Sequence, residues 1–119
     1  MNEWLAVAAG GAAGSLLRFG IGKAMAPQAA SFPWATLLAN VLACLVLGAA
    51  WAWFGRRQDL PEATRLLITT GFCGGFSTFS TFSLETARMI AGGQWGAAAL
   101  YVGLSLLACL AAVALSLRI

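Results

Sequence analysis

Four stretches free of charged residues, Trp4 to Leu17, Ala24 to Gly55, Leu66 to Leu84 and Met89 to Leu117, occupy most of a chain of 119 residues. About 20 apolar residues cross the hydrocarbon core of a bilayer as a helix, so four crossings fit and almost no length is left over. Only 9% of residues are charged and 61% are hydrophobic, whereas a soluble domain of this size needs far more charge to cover its surface. The expectation is an all-α membrane protein with a single four-helix transmembrane domain over 1–119. Its approximate spans are 4–25, 33–54, 63–90 with a break near 73–78, and 94–117.

The basic residues are scattered through the turns and form no helix face, so the formal charge of +3 is not a nucleic-acid signature. With four crossings, Arg56, Arg57, Arg65 and Arg118 fall on one side of the membrane and Arg18, Lys23 and Arg88 on the other. Orientation follows the Lys/Arg imbalance of short loops, and so small an imbalance predicts insertion both ways round. Ala24-Met25-Ala26 has the outline of a leader cleavage site, but Glu3, Arg18 and Pro27 are poorly placed for one. Cys44, Cys73 and Cys109 each lie inside an apolar stretch and read as small packing residues rather than a disulfide framework.

Gly10, Gly11 and Gly14 in the first segment have the spacing that lets another helix approach closely. Pro27 and Ser31-Phe32-Pro33 mark a turn, and the second segment carries Ala35, Ala39 and Ala43 on one packing face with Asn40 beside it. Pro61 helps to start the third segment, in which Gly71, Gly74 and Gly75 weaken the helix, and the backbone is expected to be irregular between Cys73 and Thr78. Gly92 and Gly93 end its second half. Tyr101 and Ser105, four residues apart, share a face of the last segment.

Without histidine, a Ser/His/Asp set, a metal-spaced cysteine cluster or a phosphate loop, an enzyme is not expected. Transport is the natural remaining class. Carbonyls released at a helix break suit a hard cation such as sodium, or the glycines simply kink the helix for packing. Past the break, Phe76, Phe79 and Phe82 form one stripe and Ser77, Thr81 and Glu85 another. Phenylalanine edges are electropositive and can line a path for a small anion, and core packing is the plainer reading. Serine and threonine hydroxyls also bond back to the carbonyl four residues earlier. Asn40 offers donors to an ion or glues helices. Arg18 is an anion lure at a vestibule or an end residue reaching the interface, and Glu85 has an ordinary explanation in a pair with Arg88.

The run Gly71-Phe72-Cys73-Gly74-Gly75-Phe76-Ser77-Thr78-Phe79-Ser80-Thr81-Phe82-Ser83, with Gly10-Gly11 through Gly14 and Arg18 before it and Pro33 through Asn40 between, resembles the Fluc (CrcB) fluoride channels across the whole chain. That resemblance implies a passive fluoride-selective channel letting the ion leave the bacterial cytoplasm through the inner membrane. It also implies an antiparallel homodimer with two pores. Under it, Asn40, Phe79, Ser80, Thr81, Phe82, Tyr101 and Ser105 belong to the fluoride pathway, Arg18 sits at the vestibule, and Glu85 has no assigned role. The carbonyls of Gly74 and Ser77 from both subunits would hold a structural sodium ion at the dimer centre. Ser77 stands where the family pattern often has threonine, which matters little if its carbonyl is the ligand. The alternative is a proton-coupled exporter of cationic compounds resembling the small multidrug resistance family. That mechanism needs a membrane-embedded carboxylate in the first segment, where the sole acid is Glu3 at its start.

Overall fold

The structure, a computed structural model, describes residues 2–27 and 31–119, and the described residues are helical with no strand. Residues 28–30, inside the expected first turn, lie outside this description. Helix α1 is Glu3–Ala24, begun by Asn2, whose side-chain oxygen accepts from the backbone amides of Trp4 (2.7 Å) and Leu5 (3.4 Å). Helix α2, Trp34–Arg56, follows Pro33, and the polar loop after it is clipped by Arg57, which donates Nε and Nη2 to the two carboxylate oxygens of Asp59, each at 3.1 Å. The guanidinium holds the exposed Asp59 carboxyl below its ordinary pKa.

The third segment is not one helix. It runs as α3 (Glu62–Leu66), a wider-wound π stretch over Leu67–Cys73, a single turn α4 (Gly74–Phe76), and then α5 (Phe79–Ala91). Between α4 and α5 the backbone is extended, with φ/ψ of −85°/158° at Ser77 and −152°/115° at Thr78. Helix α5 ends where Gly93 takes φ 77°, so that the amides of Gly93 and Gln94 turn back to the carbonyls of Ile90 (3.0 Å) and Met89 (2.8 Å). The last helix, α6, is Trp95–Ser116.

Helices α1, α2 and α6 are each long and apolar enough to cross a membrane. Trp4, Trp51, Leu107 and Leu110 stand more than 60% exposed, which is tolerable against lipid and costly against water.

Between α1 and the third segment the packing is backbone against backbone. A Cβ added at Gly10 would strike the Leu67 carbonyl oxygen and the Phe72 amide, and one at Gly14 would strike the Phe72 carbonyl oxygen and the Phe76 amide. From the other side, Gly71 and Gly75, also four residues apart, meet the main chain of α1 at Val7, Gly10 and Gly11. Two small-residue pairs thus mesh, and the glycines of the third segment serve close approach as well as conformational freedom. Ala39 and Ala43 of α2 are buried against Phe76, whereas Ala35 borders a cavity rather than continuing the packed face. A second cluster joins Leu37, Met89, Ala98 and Tyr101.

Two sequence expectations are corrected here. Phe76 and Ser77 precede α5, so they do not extend the stripes of Phe79 with Phe82 and of Thr81 with Glu85; Phe76 is 2% exposed and belongs to the core. Glu85 does not pair with Arg88: the ion pairs among the described residues join Arg57 with Asp59 and Arg65 with Glu62.

Because the groups facing Gly14 are main chain and have no rotamer to yield, Gly14→Ala should lower stability by about 3 kcal/mol, the upper end of the usual cost of overpacking. Gly20→Ala, with nothing within 4 Å of the added methyl, should stay within about 0.5 kcal/mol of the parent. Thermal denaturation of the two variants in one detergent checks the contrast, and equal midpoints would remove the meshed contact.

Candidate functional site

The site is organised by the residue that leaves the helix. Thr78 donates its backbone amide to Asn40 Oδ1 at 2.7 Å, and its carbonyl accepts from Asn40 Nδ2 at 3.3 Å, so one α2 side chain satisfies both main-chain groups of the extended residue. Thr78 Oγ1 in turn caps α5 by accepting from the Thr81 amide at 3.1 Å and lies 3.3 Å from Ser80 Oγ. In an unbroken helix the amides of Thr78 and Thr81 would close on the carbonyls of Gly74 and Ser77. Both amides are engaged elsewhere, which releases those two carbonyls from helical pairing. Arg18 Nε donates to the neighbouring Gly75 carbonyl at 3.1 Å. A terminal carbonyl of the broken helix thereby meets a fixed positive charge.

Two cavities border this junction, and a third lies further along α5. The first, about 280 Å³, is basic at Arg18 and Lys23 and hydroxylated at Thr36, Thr78 and Thr81. A second of about 240 Å³ is lined by Asn40, Ser77, Thr78, Phe79, Phe82 and Ser105, with Cys44, Leu106 and Cys109 completing its wall. Thr78 belongs to both. Glu85 and Arg88 border a third cavity of about 320 Å³, beside Ser31, Phe32 and Gln94.

Glu85 joins the third of these spaces to the first, whose wall includes Thr36. Its carboxylate accepts from Thr36 Oγ1 at 3.0 Å and from the Tyr101 hydroxyl at 2.8 Å, so α2, α5 and α6 meet on one acid. Phe82 bridges the aromatic groups, with ring centroids 5.6 Å from Phe79 and 5.0 Å from Tyr101. Phe79 is 76% exposed, while Tyr101 is fully buried and reaches the cavities through Glu85 rather than as a wall. Ser105 Oγ is buried with no hydrogen-bond partner, an orphan polar atom facing the second cavity. By contrast Ser77, Ser83 and Thr86 each donate to the carbonyl four residues earlier, at 2.8 to 2.9 Å, which is the plain role open to such hydroxyls.

The structure therefore brings Asn40, Phe79, Phe82 and Ser105 to one cavity and Arg18 and Thr81 to the next, and it holds Ser80 at the cap between them. Sequence reasoning missed Thr36, Thr78, Cys44 and Cys109. Spacing offered the signal for three of these: Thr36 and Cys44 lie one helical turn either side of Asn40, and Cys109 lies one turn beyond Ser105.

No cluster of three or more His, Cys, Asp or Glu side chains able to hold a metal occurs among the described residues. A cation here would rest on main-chain oxygen. The freed carbonyls of Gly74 and Ser77 are the hard donors that an alkali cation takes, and nothing lies within 4 Å of the position a Gly74 Cβ would fill. The residues present fit such an ion, although two oxygens from one chain fall short of a full coordination shell.

Comparison with known proteins agrees with the residue pattern. The family model described as "CrcB-like protein, Camphor Resistance (CrcB)" matches residues 5–117. A protein of Methylobacterium nodulans named "Fluoride-specific ion channel FluC" is 44% identical over 119 residues, covering 100% of this chain and 96% of its own. Proteins with the same name from Maridesulfovibrio salexigens (45% identical, 87% of this chain and 82% of the relative) and Nitrobacter winogradskyi (46%, with 82% and 79%) match comparably. The relatives are named as ion channels, not enzymes, and the helices suit a multi-pass membrane protein. With its meshed glycines, interrupted third segment and phenylalanine-hydroxyl cavity, this chain belongs to the CrcB family.

Proposed function

We propose that the protein is a passive fluoride-selective channel that lets fluoride leave the bacterial cytoplasm across the inner membrane. The observation that carries this reading is the pair of cavities sharing Thr78, one basic at its mouth and one lined by an amide, hydroxyls and phenylalanine rings without a fixed charge. Fluoride is small and strongly hydrated, and moving such an ion into a low-dielectric passage costs on the order of tens of kcal/mol if nothing replaces the water. A hydrogen bond to a charged group returns only about 1.5 to 3 kcal/mol net, so several donors must act in succession. Arg18 and Lys23 raise the local anion concentration, and Thr81, Asn40 and Ser105 offer donors in sequence, the Thr36 hydroxyl being committed to Glu85. The edges of Phe79 and Phe82 add weak positive potential without a deep well that would trap the ion. The Ser105 hydroxyl, buried beside this path, is committed to no internal partner. The relatives' printed names support fluoride as the ion.

A second copy, inserted the other way up, completes the reading. Phe79 is 76% exposed in the single chain, and a ring so placed becomes pathway lining when another copy covers it. The nearly even division of basic residues across the membrane favours both orientations. Two such chains give two equivalent pores. They also bring four carbonyls, from each chain's Gly74 and Ser77, to one centre, where a sodium ion supplies fixed positive charge that neutralises the released main-chain oxygens. The small multidrug resistance reading finds no support, since Glu3 is exposed in the first turn of α1 and the relatives are named as fluoride channels.

Purified protein in liposomes loaded with fluoride or chloride, and triggered with a potassium ionophore, should release fluoride rapidly and retain chloride; retention of both would count heavily against the channel. Asn40→Asp keeps an acceptor for the Thr78 amide but sets a carboxylate against the Thr78 carbonyl and in the path, and Phe79→Ile removes a ring edge. Each variant should slow fluoride release at least about tenfold, the rate effect of roughly 1.4 kcal/mol, while the dimer persists on size exclusion. Parental rates would take these residues off the path. Tags at the C-terminus should label from both faces of the membrane, and labelling from one face alone would overturn the dual insertion.

A further inference from the structure

Two thiols stand in the wall of the second cavity, and the proposed passage of fluoride makes no use of them. Cys44 lies one turn beyond Asn40 on α2, and Cys109 lies one turn beyond Ser105 on α6, so each repeats the face of a polar residue above it. Both are partly exposed, and they line the one cavity from two different helices, α2 and α6. Cys73, the third thiol, is buried in the π stretch and borders none of the three cavities. Beside the pair, Ser105 Oγ is buried and unpartnered while bordering the same space, so the pocket offers two soft donors and a free hard one.

We propose that Cys44 and Cys109 form a two-coordinate site for a soft d10 cation such as Hg(II) or Ag(I). Thiolate sulfur selects soft metals, and two sulfurs on facing helices match ions content with two ligands. Neutral mercuric chloride reaches the cavity and reacts as HgCl2 + 2 RSH → RS–Hg–SR + 2 H⁺ + 2 Cl⁻. Two sulfur–hydrogen bonds and two mercury–chlorine bonds break, two mercury–sulfur bonds form, and no oxidation state changes. The protons and chloride leave to water. The metal then ties α2 to α6 beside Asn40 and Ser105 and plugs the cavity, a consequence that rests on the channel reading above.

The test uses the full chain in detergent, titrated with mercuric chloride while free thiols are counted with a chromogenic disulfide. The expected result is one mercury retained per chain after desalting, with two thiols lost together. After a wash with excess small monothiol, which strips mercury held by a single sulfur, Cys44→Ser and Cys109→Ser should each lose the metal, and Cys73→Ala should keep it. Mercury retained equally by both serine variants, or by none of the proteins, would overturn the site. In liposomes, mercuric chloride should stop fluoride release from the parent, and excess dithiothreitol should restore it. Retention of mercury with undiminished fluoride release would overturn the plug. If untreated liposomes release no fluoride, the channel reading fails, and the thiol count in detergent still decides the metal site.

Discussion

Everything around the junction follows from the carboxamide of Asn40 holding the main chain of Thr78. An amide and a carbonyl released from a helix inside a membrane have no water to turn to, and each unsatisfied group costs several kcal/mol. A carboxamide carries one acceptor and two donors in a plane, so it is a short side chain able to serve both groups at once. Once Thr78 is held, its hydroxyl is free to cap α5, the carbonyls of Gly74 and Ser77 lose their helical partners, and two cavities come to share one residue. Helix pairing, the freeing of two main-chain carbonyls and the walls of two cavities are thereby linked through a single side chain on a neighbouring helix.

That junction needs a stiff support, and the glycine mesh of α1 with the third segment provides it. Backbones in direct contact bring carbonyl and amide dipoles close and leave no flexible side chain between them. The π stretch over Leu67–Cys73 lies within this contact, and its wider winding sets Gly71 and Gly75 against α1. Such a turn costs hydrogen-bond geometry, and tight packing along α1 offsets it.

Much of this was legible from residue order. Charge-free stretches announced long apolar helices, three of which are long enough to cross a membrane, and the glycine spacing of α1 announced a close approach, because both depend on local composition. What spacing did not reveal was which groups meet across helices. Glu85 has Arg88 three residues away on its own helix, yet Thr36 and Tyr101 claim its carboxylate, because α2 and α6 pack against the face that Glu85 occupies and Arg88 does not. Phe76 and Phe79 are three residues apart, and periodicity places them on one stripe. The extended pair between them turns the first into the core and leaves the second exposed. Local periodicity holds only while the helix does, and the site lies where the helix stops.

Arg18 attaches to the junction through Nε alone, and its two terminal nitrogens make no hydrogen bond among the described residues. The guanidinium therefore divides its labour: one edge steadies a main-chain oxygen at the end of α4, and the opposite edge remains for whatever enters the basic cavity. A lysine has one ammonium centre and no rigid fork, so it would have to abandon one duty to perform the other. The positive charge on the cavity wall and the repair of the backbone at this position are bound to a single planar cation, and neither can be tuned without disturbing its companion.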